Sequence, residues 1–365
     1  MKYVYLILLL FLITSFPVQA QPPDGQAKEI LEETLSLTKD IQVPGFRFND
    51  VASKAATGQL RFDFSSVLQY ILELFTKETK RNIGLLIKMV VLSVLAGILC
   101  NVQQALPGDG IGEISFLACF AVIAGISVTI VAELTQIAVE TIDSLMLCMA
   151  GLMPAMGTLC TGINPAFSGF YPGLFGAMQT FVIICKSIFL PMITIITTLS
   201  VINALSGRFH ITRLIEFARQ IIKWGLGLLL TVFVGILSIH SFTASNVSIT
   251  GRTVKYALSN FVPLVGGVLA ESAEAVLKSF KLIRGAFGIS GILALLTLCC
   301  VPLLKILSSL VLYRFSAGVV EPATDKRIVS LFIDLSGNIT LIFAIVLMVT
   351  VMFIISLALL CILVT

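Results

Sequence analysis

Two stripes of charged and amide side chains interrupt an otherwise apolar chain, and they are the residues with chemistry to offer. Glu133, Gln136, Glu140 and Asp143 follow one another at i, i+3, i+7 and i+10, the spacing that lines side chains along one helix face. Glu271, Glu274, Lys278 and Lys281 repeat that spacing, with Glu274 four residues before Lys278 in the orientation that favours an ion pair. Carboxylates beside a bilayer are expensive to bury unpaired. Each stripe is therefore a candidate pore lining on a cation path or a docking face for another protein; a solvated outer surface is the plainer alternative. No Lys or Arg lies between Met89 and Cys185, so Asp109, Glu113, Glu133, Glu140 and Asp143 have no basic neighbour along the chain.

Catalytic chemistry finds little support. The two histidines, His210 and His240, belong to no catalytic or metal-ligand spacing. The eight cysteines sit in apolar surroundings without a Cys-x-x-Cys, which argues against a metal site or structural disulfide, and the adjacent Cys299 and Cys300 read as small apolar residues. Gly108 to Glu113, "GDGIGE", has neither the strand context nor the Lys-Ser/Thr ending of a phosphate-binding loop. No catalytic, cofactor or metal residue is expected, and any ATP driving this protein is bound by another subunit.

The elements that must position the stripes are membrane helices. The 365 residues are 57% hydrophobic and 12% charged with a mean hydropathy of +1.03, against about one quarter charged in an average soluble domain. A net charge of +4 is too small a bias for a nucleic-acid surface, so the bilayer is a partner and nucleic acid is not. Lys2, the apolar run Val4 to Ile13 and the small residues Val18 and Ala20 lay out a signal peptide over 1–20, too short for the roughly 20 residues a spanning helix needs. Residues 21–82 then form a polar, helical, exported region, with an apolar stripe at Val67, Leu68, Ile71, Leu72 and Phe75. The remainder, 83–365, is the transmembrane domain of an all-α polytopic protein. Six apolar runs are long enough to span, near 83–102, 114–132, 177–203, 225–242, 286–312 and 338–364. Lys88, Lys186 and Lys305 interrupt three of them and can snorkel.

Internal similarity suggests tandem units near 83–176, 177–285 and 286–365. "LPMITIITTLSV" from Leu190 aligns with "VPLLKILSSLVL" from Val301, "LMPAMGTL" from Leu152 with "FVPLVGGV" from Phe261, and Gly225 with Gly337, each offset by about 110 residues. Units of two spans each are parallel, unlike the inverted repeats of many transporters. Pro154, Gly157, Pro191, Pro263, Gly266 and Pro302 are the expected helix breaks, and the stretches after the second and fourth spans are expected to be outward-facing amphipathic or re-entrant helices. With the mature N-terminus outside, seven Lys/Arg fall in cytoplasmic connections and five in outer ones, the direction the positive-inside rule requires. Arg208, Arg213, Arg219, Lys223 and Trp224 mark a basic amphipathic segment along the cytoplasmic surface, near anionic lipid or a cytoplasmic partner.

Three strings, "RTVKYALSNFVPLVGGVL" from Arg252, "WGLGLLLTVFVGIL" from Trp224 and "EPATDKRIVSLF" from Glu321, resemble the signature blocks of the stage III sporulation protein AE family, and the resemblance runs over essentially the whole chain. It implies a multi-pass protein of the mother-cell membrane around the engulfed forespore. It further implies a subunit of a secretion-like channel, or feeding tube, that supports late forespore gene expression. The partners it implies are the other subunits of the stage III sporulation A complex, including its cytoplasmic ATPase and the intermembrane ring proteins, and the forespore protein Q. The resemblance carries no catalytic residues. The expected function is a permease or export-gate-like subunit of that channel. The alternatives are a non-conducting scaffold that anchors the ring, and an independent small-solute transporter.

Overall fold

The computed structural model describes the secondary structure of residues 64–105, 111–163, 170–205, 211–261 and 266–362, and no strand occurs among them. In chain order the elements are α1 (Phe64–Ala105), α2 (Ile111–Ile163), α3 (Phe170–Ile184), a π-helical turn (Cys185–Phe189), α4 (Leu190–Leu205), α5 (Thr212–Phe261), α6 (Gly266–Val320) and α7 (Lys326–Ile362). Since α3, the π turn and α4 run on as one rod, the described residues hold six helices long and apolar enough to cross a membrane. These are Ile71–Ile98, Ile114–Thr158, Pro172–Leu205, Thr212–Ser238, Gly285–Val320 and Lys326–Leu360. The protein is an all-helical membrane protein, as its composition requires. The signal-peptide segment 1–20 and most of the exported region lie outside the described residues; from Phe64 that region is the first part of α1.

The most apolar helix occupies the centre. The spanning window of α7 is 72% buried, against 25–44% in the other five. Helices α6, α2, α4 and α5 pack around it, and α1 closes the bundle against α6 and α2. Phe332, Phe353 and Leu357 of α7 are fully enclosed. Gly291 of α6 admits both Leu152 of α2 and Leu357 of α7, each 3.1 Å from where a Cβ would sit. Polar contacts hold the helix ends on one side. Asn203 in the last turn of α4 accepts the Ile211 N–H at 3.0 Å, and Asp325 caps α7 by accepting the Arg327 N–H at 2.8 Å.

The helices are longer than the apolar runs suggest, because residues expected to break them do not. Pro154 lies inside α2 and Pro302 inside α6, and Gly157 is a buried residue of α2. A proline ring forfeits one backbone hydrogen bond and crowds the carbonyl four residues back, but Met153, Ala155 and Met156 are fully buried on either side of Pro154. Their packing outweighs the loss of one bond. Pro191 is accommodated differently. The Leu190 N–H bonds back to the Cys185 carbonyl, five residues away, and this widened turn directly precedes the proline. Gly266 opens α6 rather than breaking it, and Pro263 lies outside the described residues.

Two further expectations are corrected by the same continuity. The stretch beyond the second span is no separate re-entrant piece, since α2 carries straight through it to Ile163. The basic segment near 208–224 is no separate helix either, because from Thr212 it is continuous with the long apolar helix α5. Its apolar side chains Leu214, Phe217, Ile221 and Trp224 point away from the bundle, while Ile215, Ile222 and Arg219 turn inward. Arg213 and Lys223 remain exposed, and Arg208 lies outside the described residues.

Candidate functional site

Among the described residues, charged side chains on different helices of this bundle meet at three places. The strongest tie is at Arg219, whose guanidinium leaves α5 and crosses Gly337 of α7, with the Arg219 carbon 3.6 Å from where a Cβ on that glycine would sit. Its Nε donates to Asn338 Oδ1, one terminal nitrogen to Asp334 Oδ1, and the other to the Asp334 backbone carbonyl, each at 2.9 Å. The second terminal nitrogen also reaches Ser200 Oγ at 3.4 Å. Asn338 passes the connection on, its amide donating to Thr197 Oγ1 of α4 at 3.0 Å. One arginine thus joins α5, α7 and α4. Its planar fork uses donors that a lysine lacks.

The other two ties come from the acidic stripe of α2. Lys186, set in the π turn, donates to both carboxylate oxygens of Asp143 at 2.6 Å. Lys305, midway along the Gly285–Val320 span of α6, donates to Glu133 at 2.9 Å. The sequence marks these lysines as interruptions of apolar runs and these carboxylates as an unpaired stripe. The fold answers each with the other, across separations of 43 and 172 residues. An apolar helix tolerates a lysine best where an opposite charge meets it, and both lysines have one.

What remains of the stripe faces outward. Gln136 and Glu140 are exposed and bond to each other, Gln136 Nε2 donating to Glu140 Oε1 at 3.0 Å. The Glu133 and Asp143 side chains are 60% and 53% exposed despite their lysine partners. This polar belt sits near the middle of the 45-residue apolar stretch Ile114–Thr158. At ~1.5 Å per residue that stretch is roughly 68 Å long, about twice the ~30 Å of a hydrocarbon core. The belt divides it into two apolar lengths. Lipid hydrocarbon is a poor cover for a carboxylate and an amide, so the belt calls for water or another protein.

Of the residues singled out in the sequence, the fold therefore brings Glu133, Glu140 and Asp143 into one belt and Arg219 into an internal clasp. The side chains of Glu271, Glu274, Lys278 and Lys281 lie outside the described residues, although their backbone is part of α6. Asp334 and Asn338 were missed. The available signal was an acid and an amide four residues apart on one face at the mouth of the last and most apolar span.

The comparisons with known proteins converge on one family. The family model described as stage III sporulation protein AE matches residues 46–364. A protein of that name from Bacillus subtilis (strain 168) is 24% identical over 303 residues, which cover 82% of this chain and 76% of the relative. No solved structure matches.

Proposed function

The chain belongs to the stage III sporulation protein AE family, and from that premise we propose that it is the membrane-embedded, export-gate-like subunit of the channel between mother cell and forespore. The observation that carries this reading is the belt of Glu133, Gln136, Glu140 and Asp143, left exposed among the described residues halfway along an apolar helix. Because α7 fills the centre of the bundle, a path cannot run through the middle of one chain. The path runs instead along the outer face of α2, between this chain and its neighbours in the complex. Those neighbours are the other stage III sporulation A subunits, with the cytoplasmic ATPase on one side and the ring proteins and forespore protein Q on the other. The protein sits in the mother-cell membrane with its mature N-terminus in the intermembrane space.

The filled core also favours a second reading, in which the chain conducts nothing and the belt anchors the ring. Charge reversal separates the two. In strains carrying Gln136→Lys with Glu140→Lys, the number of heat-resistant spores and the co-purification of partner subunits are measured together. The export-gate reading expects spores to fall at least ~10-fold while assembly is retained. The scaffold reading expects both to fall together. If neither changes, the belt has no role and both readings fail.

A further inference from the structure

Helix α1 carries a basic stripe to match the acidic one on α2. Lys77, Arg81, Gly84 and Lys88 follow one another at helical spacing with Lys80 beside them, and all are exposed, while Met89 and Ser93 on the inward side are buried. Arg81 leans on Glu78 at 3.5 Å, but among the described residues no carboxylate comes within ion-pair distance of Lys77, Lys80 or Lys88. On α2, Glu133 and Asp143 have their lysines, whereas the Glu140 carboxylate meets only the neutral Gln136. The two stripes stand at one height. Asn82 of α1 and Glu133 of α2 border the same surface cleft. The two helices run antiparallel, because Gly97 near the end of α1 abuts Ala323 in the α6–α7 turn and Phe116 near the start of α2 lies under Arg327. At ~1.5 Å per residue, Lys77 then stands about 8 Å beyond Asn82 and Glu140 about 10 Å beyond Glu133, both on the side away from that turn.

We propose that one neighbour along the belt is a second copy of this chain, which docks the basic stripe of its α1 on the acidic belt of α2. The charges select this partner. Opposite signs at matched height attract, whereas a twofold contact of belt on belt would set Glu140 against Glu140 and repel. Both stripes fall within the apolar stretches Ile71–Ile98 and Ile114–Thr158, where lipid is a poor cover for charge, and each is the cover the other lacks. Gly84 and Ala132, near one height, are small and exposed, so the two helices can come close. Copies inserted in one orientation are related by rotation about the membrane normal. Each therefore offers its stripe to one neighbour and its belt to the other, and the contact repeats head to tail. Water bridges a contact between long charged side chains, so the belt stays wet. The self-association stands whether or not the belt lines an export path.

Cross-linking between two differently tagged full-length copies in membranes tests this. Both lack the native cysteines, one carries Lys77→Cys and the other Glu140→Cys, and a short bis-maleimide is added. A dimer bearing both tags is expected, at least ~10-fold above the yield when both copies carry Lys77→Cys or both carry Glu140→Cys. Equal yields in all three pairings, cross-links to another protein only, or none would overturn the proposal. Charge exchange in chains that keep their cysteines gives an independent check. Lys77→Glu with Lys80→Glu is expected to cut co-purification of the two tags at least ~10-fold, and adding Gln136→Lys with Glu140→Lys to the same chain to restore it. Unchanged co-purification in the first variant, or no recovery in the second, would mean that the stripes do not meet.

Discussion

Arg219→Ala is expected to destabilise the bundle more than any other change of a single polar residue, by about 3–5 kcal/mol, because it strands the Asp334 carboxylate against an apolar core. Asp334 is 19% exposed and Arg219 15%, so water does little to screen the loss. At ~2–4 °C per kcal/mol for a protein of this size class, the melting midpoint in detergent should fall by roughly 10 °C. Arg219→Lys should recover only part of this. It restores the charge, but one ammonium cannot reach Asn338, the Asp334 carboxylate and the Asp334 carbonyl together. The pair Arg219→Met with Asp334→Leu should recover most of it, since removing both charges leaves neither one stranded. A midpoint unchanged in Arg219→Ala would show that the clasp contributes nothing.

Gly97→Ala should also be strongly destabilising, which is the opposite of what helix propensity predicts. Alanine favours an α-helix over glycine by about 1 kcal/mol. At position 97, however, the added methyl would lie 2.1 Å from the Ala323 carbonyl oxygen and 2.8 Å from the Thr324 Cα, both backbone atoms of the turn between α6 and α7. That turn is anchored to α1 one helical turn away, where the Thr324 hydroxyl donates to the Ser93 carbonyl. To admit the methyl, α1 must move off the turn and give up that bond. Overpacking of this kind costs about 1–3 kcal/mol or more, so the clash outweighs the propensity gain. Gly125→Ala and Gly227→Ala are the controls, for nothing lies within 4 Å of either new methyl. They should be neutral or stabilising by up to ~1 kcal/mol in the same melting assay. If Gly97→Ala behaves as they do, α1 does not dock on the turn as described.

The six spans were legible because hydropathy is a local property, carried by runs such as Leu335 to Thr365 with no charged residue at all. Where the helices end was less legible. Pro154 and Pro302 read as breaks along the chain, and only the packing of their neighbours shows why the helices continue. The acidic stripe was legible as a stripe, and Lys186 and Lys305 as anomalies. Their pairing is a tertiary fact that no spacing rule connects. Arg219 was the clearest misreading. Its neighbours Arg213 and Lys223 made it look like one cation of a basic surface, yet it sits on the inward side of α5 and meets Asp334, 115 residues away. The tandem-unit reading finds Pro191 and Pro302 in different local geometries, the first directly after a π turn and the second within regular α-helix.

The central claim is that the belt on α2 meets water, in a path or a wet interface, and not lipid. The most direct test places single cysteines at Gln136, Glu140 and Leu147 in a chain without its native cysteines, within the assembled membrane complex, and treats each with a water-soluble maleimide. Leu147 is the reference, an apolar side chain 75% exposed on the same helix. Labelling of Gln136→Cys and Glu140→Cys with Leu147→Cys protected is the predicted result, and it places an aqueous path or a wet interface along the belt. Protection of all three would put the belt in a dry environment and contradict the account.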